Sequence, residues 1–258
     1  MTELVLIGIG AGHPDQITLE AIDALQRVDV FFVVDKGPER HDLSQFREAV
    51  CRRHRPDEGY RTVRLPDPER DRQPADYGAA VRDWHQRRAE LLAAAVHAEL
   101  ASDGVGALLV WGDPALFDST LRVATDVALQ VPGLEIVVVP GISSIQALTA
   151  RHRIPLNRIG RPVQITTGRR LAAGEVPEGC DLVVMLDGAA AFMTLPDLDH
   201  IYWGAYLGTP SEMLIEGVLA DVRDDIIRAR AEARERHGWI MDTYLIRRNG
   251  QLGGASTS

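Results

Sequence analysis

Short runs of consecutive apolar residues alternate with amphipathic segments along the first half of the chain. The apolar runs predict buried strands at 3–9, 30–34, 104–110 and 135–139, and a weaker pattern predicts a strand at 60–65. Leu19, Ile22, Leu25 and Val28 recur at helical spacing and predict a helix with Asp15 as its N-cap. Further helices are predicted at 43–51, 79–100 and 119–128. This alternation predicts a parallel sheet with right-handed crossovers.

The second half of the chain also alternates, with a change of character after residue 156. Its pattern predicts strands at 163–167, 182–186, 201–207 and 244–248, and helices at 143–151, 189–194 and 212–236. A length of 258 residues accommodates two domains of ordinary size. We therefore predict an α/β protein with an N-terminal domain over 1–120, a C-terminal domain over 121–248 and a disordered Gly/Ser-rich tail over 249–258.

Three of the predicted strands run directly into loops rich in glycine and proline. These loops are Gly8-Ile-Gly-Ala-Gly-His-Pro14, Trp111-Gly-Asp-Pro114 and Pro140-Gly-Ile-Ser-Ser144. In open α/β sheets, ligands bind in the crevice outside the carboxyl ends of the strands. The sequence therefore predicts a binding site where these loops meet.

The first loop allows a second interpretation, a dinucleotide-binding unit. Gly8, Gly10 and Gly12 follow a strand, and Asp35 ends the next strand where a ribose-binding acid would stand. However, the fingerprint needs a third glycine where this chain has His13-Pro14, and proline there delays the start of the helix. A dinucleotide-dependent oxidoreductase remains the runner-up at this point.

Composition and charge narrow the possible partners. Apolar residues make up 45% of the chain and charged residues 25%, the mean hydropathy is -0.08, and no apolar run is long enough to span a bilayer. The first residues lack the basic segment of a signal peptide, so we expect a cytoplasmic protein. The net charge of -9 argues against nucleic acid and anionic membranes. Two distant cysteines, Cys51 and Cys180, predict neither a disulfide framework nor a metal site.

Arginine is concentrated between residues 47 and 88, and Lys36 is the only lysine in the chain. The guanidinium group binds carboxylates in a bidentate manner. This segment therefore allows a ligand that carries several carboxylates, with a solvated arginine-rich surface as the alternative.

The three loops, in order and with Ile154-Pro-Leu156 behind the third, resemble the signatures of the tetrapyrrole methylases. These are the S-adenosylmethionine enzymes of cobalamin and sirohaem synthesis. The resemblance implies two α/β domains with S-adenosylmethionine in the cleft between them, and a homodimer. Ala11 and His13 depart from the proline and aspartate that the family usually has at these positions, which puts the usual conformation of the loop in question.

Four further segments most resemble the deacetylating branch of that family, which methylates C1 of precorrin-5, releases acetate and forms precorrin-6A. They are residues 32–37, 66–72, 183–188 and 201–210. Other members of the family usually have a Met-Gly pair where this chain has Leu186-Asp187. The resemblance thus implies both an activity and a substrate.

The positions of this chain that match the motifs of the family also imply site residues. The cofactor would contact Trp111, Gly112, Asp113, Leu116, Ser143, Ser144, Leu186, Ala205, Leu207 and Thr243, while Gly10, Ala11 and Gly12 would face the tetrapyrrole. Cations that bind its acetate and propionate groups would be Lys36, Arg40, Arg61, Arg64, Arg70 and Arg72. Release of acetate needs a general base, for which the candidates in order of preference are Asp187, Asp35 and His13. Each polar residue has a structural alternative as a capping or turn residue.

Other functions compete with this expectation. The chain could be another precorrin methyltransferase, or a relative in the family that modifies a protein side chain. It could also be the oxidoreductase considered above, or a protein that only carries a tetrapyrrole. A methyltransferase should be stabilised by S-adenosylhomocysteine and not by nicotinamide nucleotides, since a ligand stabilises the state that binds it.

Overall fold

The computed structural model describes residues 1–35, 41–57, 59–69 and 76–249, with the backbone alone for 41–44 and 77. The chain divides into two compact units, Met1–Ser143 and a unit that begins at Ser144. The boundary expected after residue 120 is therefore too early, because residues 134–139 form a strand that pairs with the first strand of the chain. Apart from Asn249, the predicted disordered tail lies outside the described residues.

The first unit is a five-stranded sheet covered by helices. Its strands are β1 (Thr2–Gly8), β2 (Val30–Asp35), β3 (Arg61–Pro66), β4 (Val105–Val110) and β5 (Leu134–Val139). Its helices are α1 (Leu19–Arg27), α2 (His41–His54), α3 (Tyr77–Glu99) and α4 (Thr120–Gln130). The strand order is β3-β2-β4-β1-β5, and all four pairings are parallel, as predicted.

The packing on both faces of the central strand β1 explains why its sequence is an unbroken apolar run. Leu4 and Leu6 belong to a core cluster with side chains of α3 and α4, whereas Val5 and Ile7 belong to a cluster with side chains of α1 and α2. All four side chains are fully buried. Both faces of a parallel sheet are covered, so alternation with polar residues is lost.

The helix after the first loop begins later than predicted. Thr18, rather than Asp15, is its N-cap, and the Thr18 hydroxyl accepts a hydrogen bond of 3.0 Å from the Ala21 amide. Asp15 instead forms an ion pair with Arg53. The Pro14 turn therefore separates the glycine loop from the first helical turn, as expected from the geometry of proline.

The second unit is built on a mixed sheet in the order β6-β7-β10-β8-β9. The strands are β6 (Val163–Thr167), β7 (Asp181–Met185), β8 (His200–Ala205), β9 (Met213–Val218) and β10 (Asp242–Arg247). The helices are α5 (Ser144–His152), α6 (Gly168–Ala172) and α7 (Leu219–His237), with a 3-10 helix at Ala191–Thr194. Strand β10 runs antiparallel to both of its neighbours, so its first residues lie beside the ends of β7 and β8.

One predicted element of this unit is wrong. The helix expected over 212–236 consists of strand β9 followed by helix α7. Strand β9 pairs antiparallel with β8 at one edge of the sheet, and Gly217 lies within it. None of the described helices is both long enough and apolar enough to cross a bilayer.

Candidate active site

The three glycine-rich loops meet at the carboxyl edge of the first sheet, as predicted. The Gly112 amide donates a hydrogen bond of 2.9 Å to the Gly10 carbonyl, and this joins the first loop to the second. The Asp113 carboxylate joins the second loop to the third, since it accepts from the Gly141 amide at 2.9 Å and from the Ala115 amide at 2.8 Å. We call this arrangement of residues 8–12, 111–116 and 140–143 the loop junction.

Close backbone contacts explain the glycines of the loop junction. A Cβ atom on Gly141 would lie 2.1 Å from the Gly112 carbonyl oxygen, and one on Gly8 would lie 2.6 Å from the Gly141 amide nitrogen. Gly10 has a φ of +85°, and a Cβ atom there would lie 2.1 Å from the Gln16 carbonyl oxygen. Only glycine allows backbone segments to approach so closely.

The other predicted residues of the loop junction are also closely packed. Trp111 packs against Phe46 of α2, with ring centroids 4.5 Å apart, and the Leu116 amide donates to the Asp113 carbonyl at 3.2 Å. Ala11 and Ser143 are buried. The loop junction therefore offers a rigid, closely packed edge.

In the second unit, five predicted cofactor residues come together at one end of the mixed sheet. Thr243 of β10 pairs with Met185 of β7 on one side and Gly204 of β8 on the other. Its hydroxyl donates a hydrogen bond of 3.0 Å to the Ser144 hydroxyl at the start of α5. We call this set the β10 cluster; its members are Ser144, Leu186, Ala205, Leu207 and Thr243.

Two turns of the β10 cluster hold non-glycine residues in the left-handed region. Leu186, directly after β7, has a φ of 53°, and Tyr206, directly after β8, has a φ of 49°. The Leu186 side chain is 65% exposed although it is apolar. Such conformations persist where the surrounding structure imposes them, and they concentrate at binding sites.

Asp187, the preferred candidate base, is buried and held by hydrogen bonds within the second unit. Its side chain is buried and accepts hydrogen bonds from the Tyr244 hydroxyl at 2.7 Å, the Ala191 amide at 2.7 Å and the Ala189 amide at 3.1 Å. Burial, and then the Asp187 charge, raise the pKa of Tyr244 well above its usual range. A carboxylate held in this way caps the 3-10 helix and supports β10, and it is poorly placed to reach a substrate.

The other two candidate bases are exposed. Asp35 lies at the carboxyl end of β2, and its carbonyl accepts from the Asp67 amide at 3.2 Å. His13 lies in the first loop, where its Nδ1 accepts from the Asp15 amide at 3.1 Å. In the neutral imidazole the proton then resides on Nε2, which makes His13 a hydrogen-bond donor toward solvent.

The predicted cations separate into three groups. Arg61 is at the amino end of β3 and donates to the Glu99 carboxylate at 2.6 Å, so it lies at the edge of the sheet opposite to the loop junction. Arg61 is therefore remote from the loop junction, so the structure gives no support to its predicted role in substrate binding. Arg64 lies further along β3 and lines a cavity beneath α2. The remaining four, Lys36, Arg40, Arg70 and Arg72, lie outside the described residues.

One cation of this region was not among the predicted site residues. Arg47 of α2 donates to the Leu109 carbonyl at 3.0 Å, near the end of β4. Its helix was expected from the sequence, but Arg47 was not singled out among the arginines of that helix. The sequence signal that was available is the helical spacing of Arg47 from Val50 and Cys51, three and four residues further on, both of which are buried.

Comparisons with known proteins agree with this architecture. The family model for tetrapyrrole (corrin/porphyrin) methylases matches residues 3–223. A precorrin-6A synthase [deacetylating] from Sinorhizobium sp is 45% identical over 250 residues, which cover 96% of each chain. The crystal structure of a cobalamin synthesis related protein (CobF) from Corynebacterium diphtheriae has a TM-score of 0.82 and 36% identity, covering 96% of this chain and 98% of that one.

More distant members share the fold. A uroporphyrin-III-C-methyltransferase from Thermus thermophilus has a TM-score of 0.59 at 21% identity, covering 95% of this chain and 91% of that one. The chain therefore belongs to the tetrapyrrole methylase family.

Proposed function

We propose that this protein methylates C1 of precorrin-5 and releases the extruded two-carbon fragment as acetate, which forms precorrin-6A. The observation that carries the proposal is the 45% identity to a deacetylating precorrin-6A synthase over 96% of both chains. The protein is an S-adenosylmethionine-dependent methyltransferase, as its family and this relative indicate. The loop junction and the β10 cluster supply the residues for this chemistry.

S-adenosylmethionine supplies a methyl group on a positively charged sulfur, with a neutral thioether as the leaving group. The protein residues therefore contribute mainly orientation and exclusion of water. The loop junction suits this task because its three backbone segments are locked together by the Gly10, Asp113 and Gly141 hydrogen bonds. We place the tetrapyrrole against Gly10, Ala11 and Gly12, and the cofactor contacts of the first unit at Trp111, Gly112, Asp113, Leu116 and Ser143.

The β10 cluster is our proposed cofactor site of the second unit. The Ser144 and Thr243 hydroxyls are 3.0 Å apart, and the first amides of α5 lack intrahelical partners, as in every helix. Hydroxyls and helix amides can hold the carboxylate of an amino acid. Ala205 and Leu207 are buried beside them and would contact the apolar parts of the cofactor.

The variant Thr243→Val should weaken binding of S-adenosylhomocysteine by about tenfold, because it removes the hydroxyl that orients Ser144. Isothermal titration of the purified variant with S-adenosylhomocysteine measures this effect. Thr125→Val is a matched control, since Thr125 is exposed on α4 and donates only within its own helix, to the Leu121 carbonyl. Equal dissociation constants for Thr243→Val and the wild type would contradict the proposed cofactor site.

We propose Asp35 as the general base of the acetate-releasing step. Water adds to the acetyl carbonyl, the bond from that carbonyl carbon to C1 of the ring breaks as acetate leaves, and the electron pair that remains on C1 and the macrocycle then forms the new bond to the methyl group. A base near the carbonyl accepts the proton of the water. Asp35 is exposed at the carboxyl end of a parallel strand, whereas Asp187 is buried and hydrogen-bonded.

Asp35→Asn should lower acetate release and methyl transfer together by about 100-fold or more, because C1 can accept the methyl group only after its bond to the acetyl carbon has broken. The rates of acetate and S-adenosylhomocysteine formation from precorrin-5, measured enzymatically, should fall by the same factor, while the affinity for S-adenosylhomocysteine stays that of the wild type. Asp83→Asn, an exposed carboxylate on α3 that pairs with Arg87, is the control. Unchanged rates in Asp35→Asn together with lowered rates in His13→Gln would assign the base to His13 instead.

The competing functions have less support. A dinucleotide site needs a helix that starts at the glycine loop, and α1 starts only at Leu19, after the Pro14 turn. Another precorrin methylation remains the second candidate, and a precorrin-2 C(20)-methyltransferase from Sinorhizobium sp is 27% identical over 67% of this chain. We further propose a homodimer, on the resemblance to the family, and a cytoplasmic location, on the two free buried cysteines.

A further inference from the structure

A cavity of about 600 Å³ lies between helix α2 and the first sheet. Phe31, Tyr60 and Leu109 form part of its apolar lining, and Arg47, Arg52 and Arg64 are its cations. A volume of this size is typical of sites for small organic ligands. We call it the α2 cavity.

The positive charge of the α2 cavity is only partly neutralised. Among its described lining residues Glu48 is the one carboxylate, and it is 3.7 Å from Arg52 and 3.6 Å from Arg64, so two cations share it. Within the described part of the chain, no carboxylate lies at ion-pair distance from Arg47, whose described hydrogen bond goes to the Leu109 carbonyl. Burial lowers the pKa of Arg47, and the charge of Asp118 opposes this effect. A half-buried guanidinium group that has no paired carboxylate is stabilised by an anion bound beside it.

The α2 cavity adjoins the loop junction. Phe46, next to Arg47, packs on Trp111 of the second loop, and Arg47 itself bonds to the carbonyl two residues before Trp111. Successive side chains of β3 point to opposite faces of the sheet, so only one of its two arginines faces the cavity. Thr62 and Arg64 line the cavity, whereas Arg61 pairs with Glu99 of α3. Cationic and aromatic groups therefore converge beside the second loop of the loop junction.

We propose that the α2 cavity binds one carboxylate side arm of the macrocyclic substrate, with Arg47 as its main ligand and Arg64 as the second. This inference rests on the proposed function. A propionate or acetate arm supplies the anion that this cationic lining favours, and the pyrrole ring that carries it can pack on the partly exposed ring of Tyr60. Arg47 then determines how the macrocycle is oriented against the first loop, and it acts in binding rather than in either chemical step.

The test uses Arg47→Leu in the full chain, with uroporphyrin III as a stable tetrapyrrole that carries eight carboxylates. Quenching of tryptophan fluorescence should give a dissociation constant about tenfold higher than that of the wild type, as loss of a charged hydrogen bond predicts. Arg64→Gln should raise it by a smaller factor, because Arg64 is more exposed. Arg27→Leu is the control, since Arg27 pairs with Glu3 at the opposite edge of the same sheet.

Binding of S-adenosylhomocysteine shows that each variant is folded. If Arg47→Leu is unfolded, the uroporphyrin affinities of Arg64→Gln and Arg47→Lys test whether the cavity binds the carboxylate. With precorrin-5, Arg47→Leu should raise KM by about tenfold and leave kcat within about twofold. Equal uroporphyrin affinity in the wild type and the cavity variants, or no binding to the wild type, would overturn the inference. A wild type that binds uroporphyrin through Arg47 but does not methylate precorrin-5 would instead overturn the proposed function.

Discussion

The variant Gly141→Ala should lose at least about 100-fold in kcat/KM. This is the largest effect that we expect from the addition of one methyl group to this protein. The added Cβ atom would lie 2.1 Å from the Gly112 carbonyl oxygen and 2.8 Å from the Gly8 Cα atom. All of these neighbours are backbone atoms, so no side chain can turn away to make room. The second and third loops must separate, and the hydrogen bond from the Gly141 amide to Asp113 is then distorted.

Steady-state rates with precorrin-5 and a urea titration measure this variant. We expect the activity to fall further than the stability, which should decrease by about 1–3 kcal/mol as in other overpacked sites. Gly188→Ala is the matched control, because Gly188 also follows a strand end but a Cβ atom added to it would meet no atom within 4 Å. An active Gly141→Ala enzyme, within about twofold of the wild type, would show that the loop junction does not position the reactants.

The variant Arg230→Leu should destabilise the second unit by about 3–5 kcal/mol, since it leaves a buried carboxylate without its cation. Arg230 and Asp242 form an ion pair in which both side chains are 3% exposed. Arg230 also donates to the Asp187 carbonyl at 2.6 Å, and Trp203 donates to Asp242 at 2.8 Å. Asp242 directly precedes Thr243, so the same change should disturb the β10 cluster.

Urea unfolding at two pH values tests this prediction. Burial raises the pKa of Asp242, and loss of Arg230 should raise it further. A carboxyl whose folded pKa is raised stabilises the fold below that pKa and loses this contribution as the pH rises through it. The destabilisation of Arg230→Leu should therefore be smaller at about pH 5 than at about pH 8.

Arg228→Leu is the control on the same helix. Arg228 is 68% exposed and pairs with Asp225 three residues earlier, so its loss should change stability by less than about 1 kcal/mol. Equal effects of Arg228→Leu and Arg230→Leu, or a pH-independent loss in Arg230→Leu, would contradict the role assigned to the buried pair.

The first sheet and the loop junction could be predicted from sequence because both depend on local patterns. Parallel strands buried on both faces give unbroken apolar runs, and Gly/Pro loops at strand ends converge by the geometry of the sheet. The second unit was harder to predict. Met213, Leu214 and Glu216 favour helices, and only pairing with β8 makes them a strand, although Gly217 argued against a continuous helix.

The surroundings of the candidate site residues could not be predicted where contacts between distant parts of the chain determine them. The sequence places Asp187 at the end of a strand, but it does not reveal that Tyr244, far along the chain, donates to its carboxylate or that its side chain is buried. Arg61 and Arg64 look alike in the sequence, yet their positions on β3 direct them to Glu99 and to the α2 cavity respectively. These contacts depend on register between distant segments, which local patterns do not encode.

Mass spectrometry of precorrin-5 incubated with the purified protein and S-adenosylmethionine tests the central claim most directly. The account predicts a product that has gained one methyl group and lost one acetyl group, with one acetate and one S-adenosylhomocysteine formed for each turnover. A methylated product that keeps its acetyl group, or unchanged precorrin-5 in a preparation that binds S-adenosylhomocysteine, would contradict it.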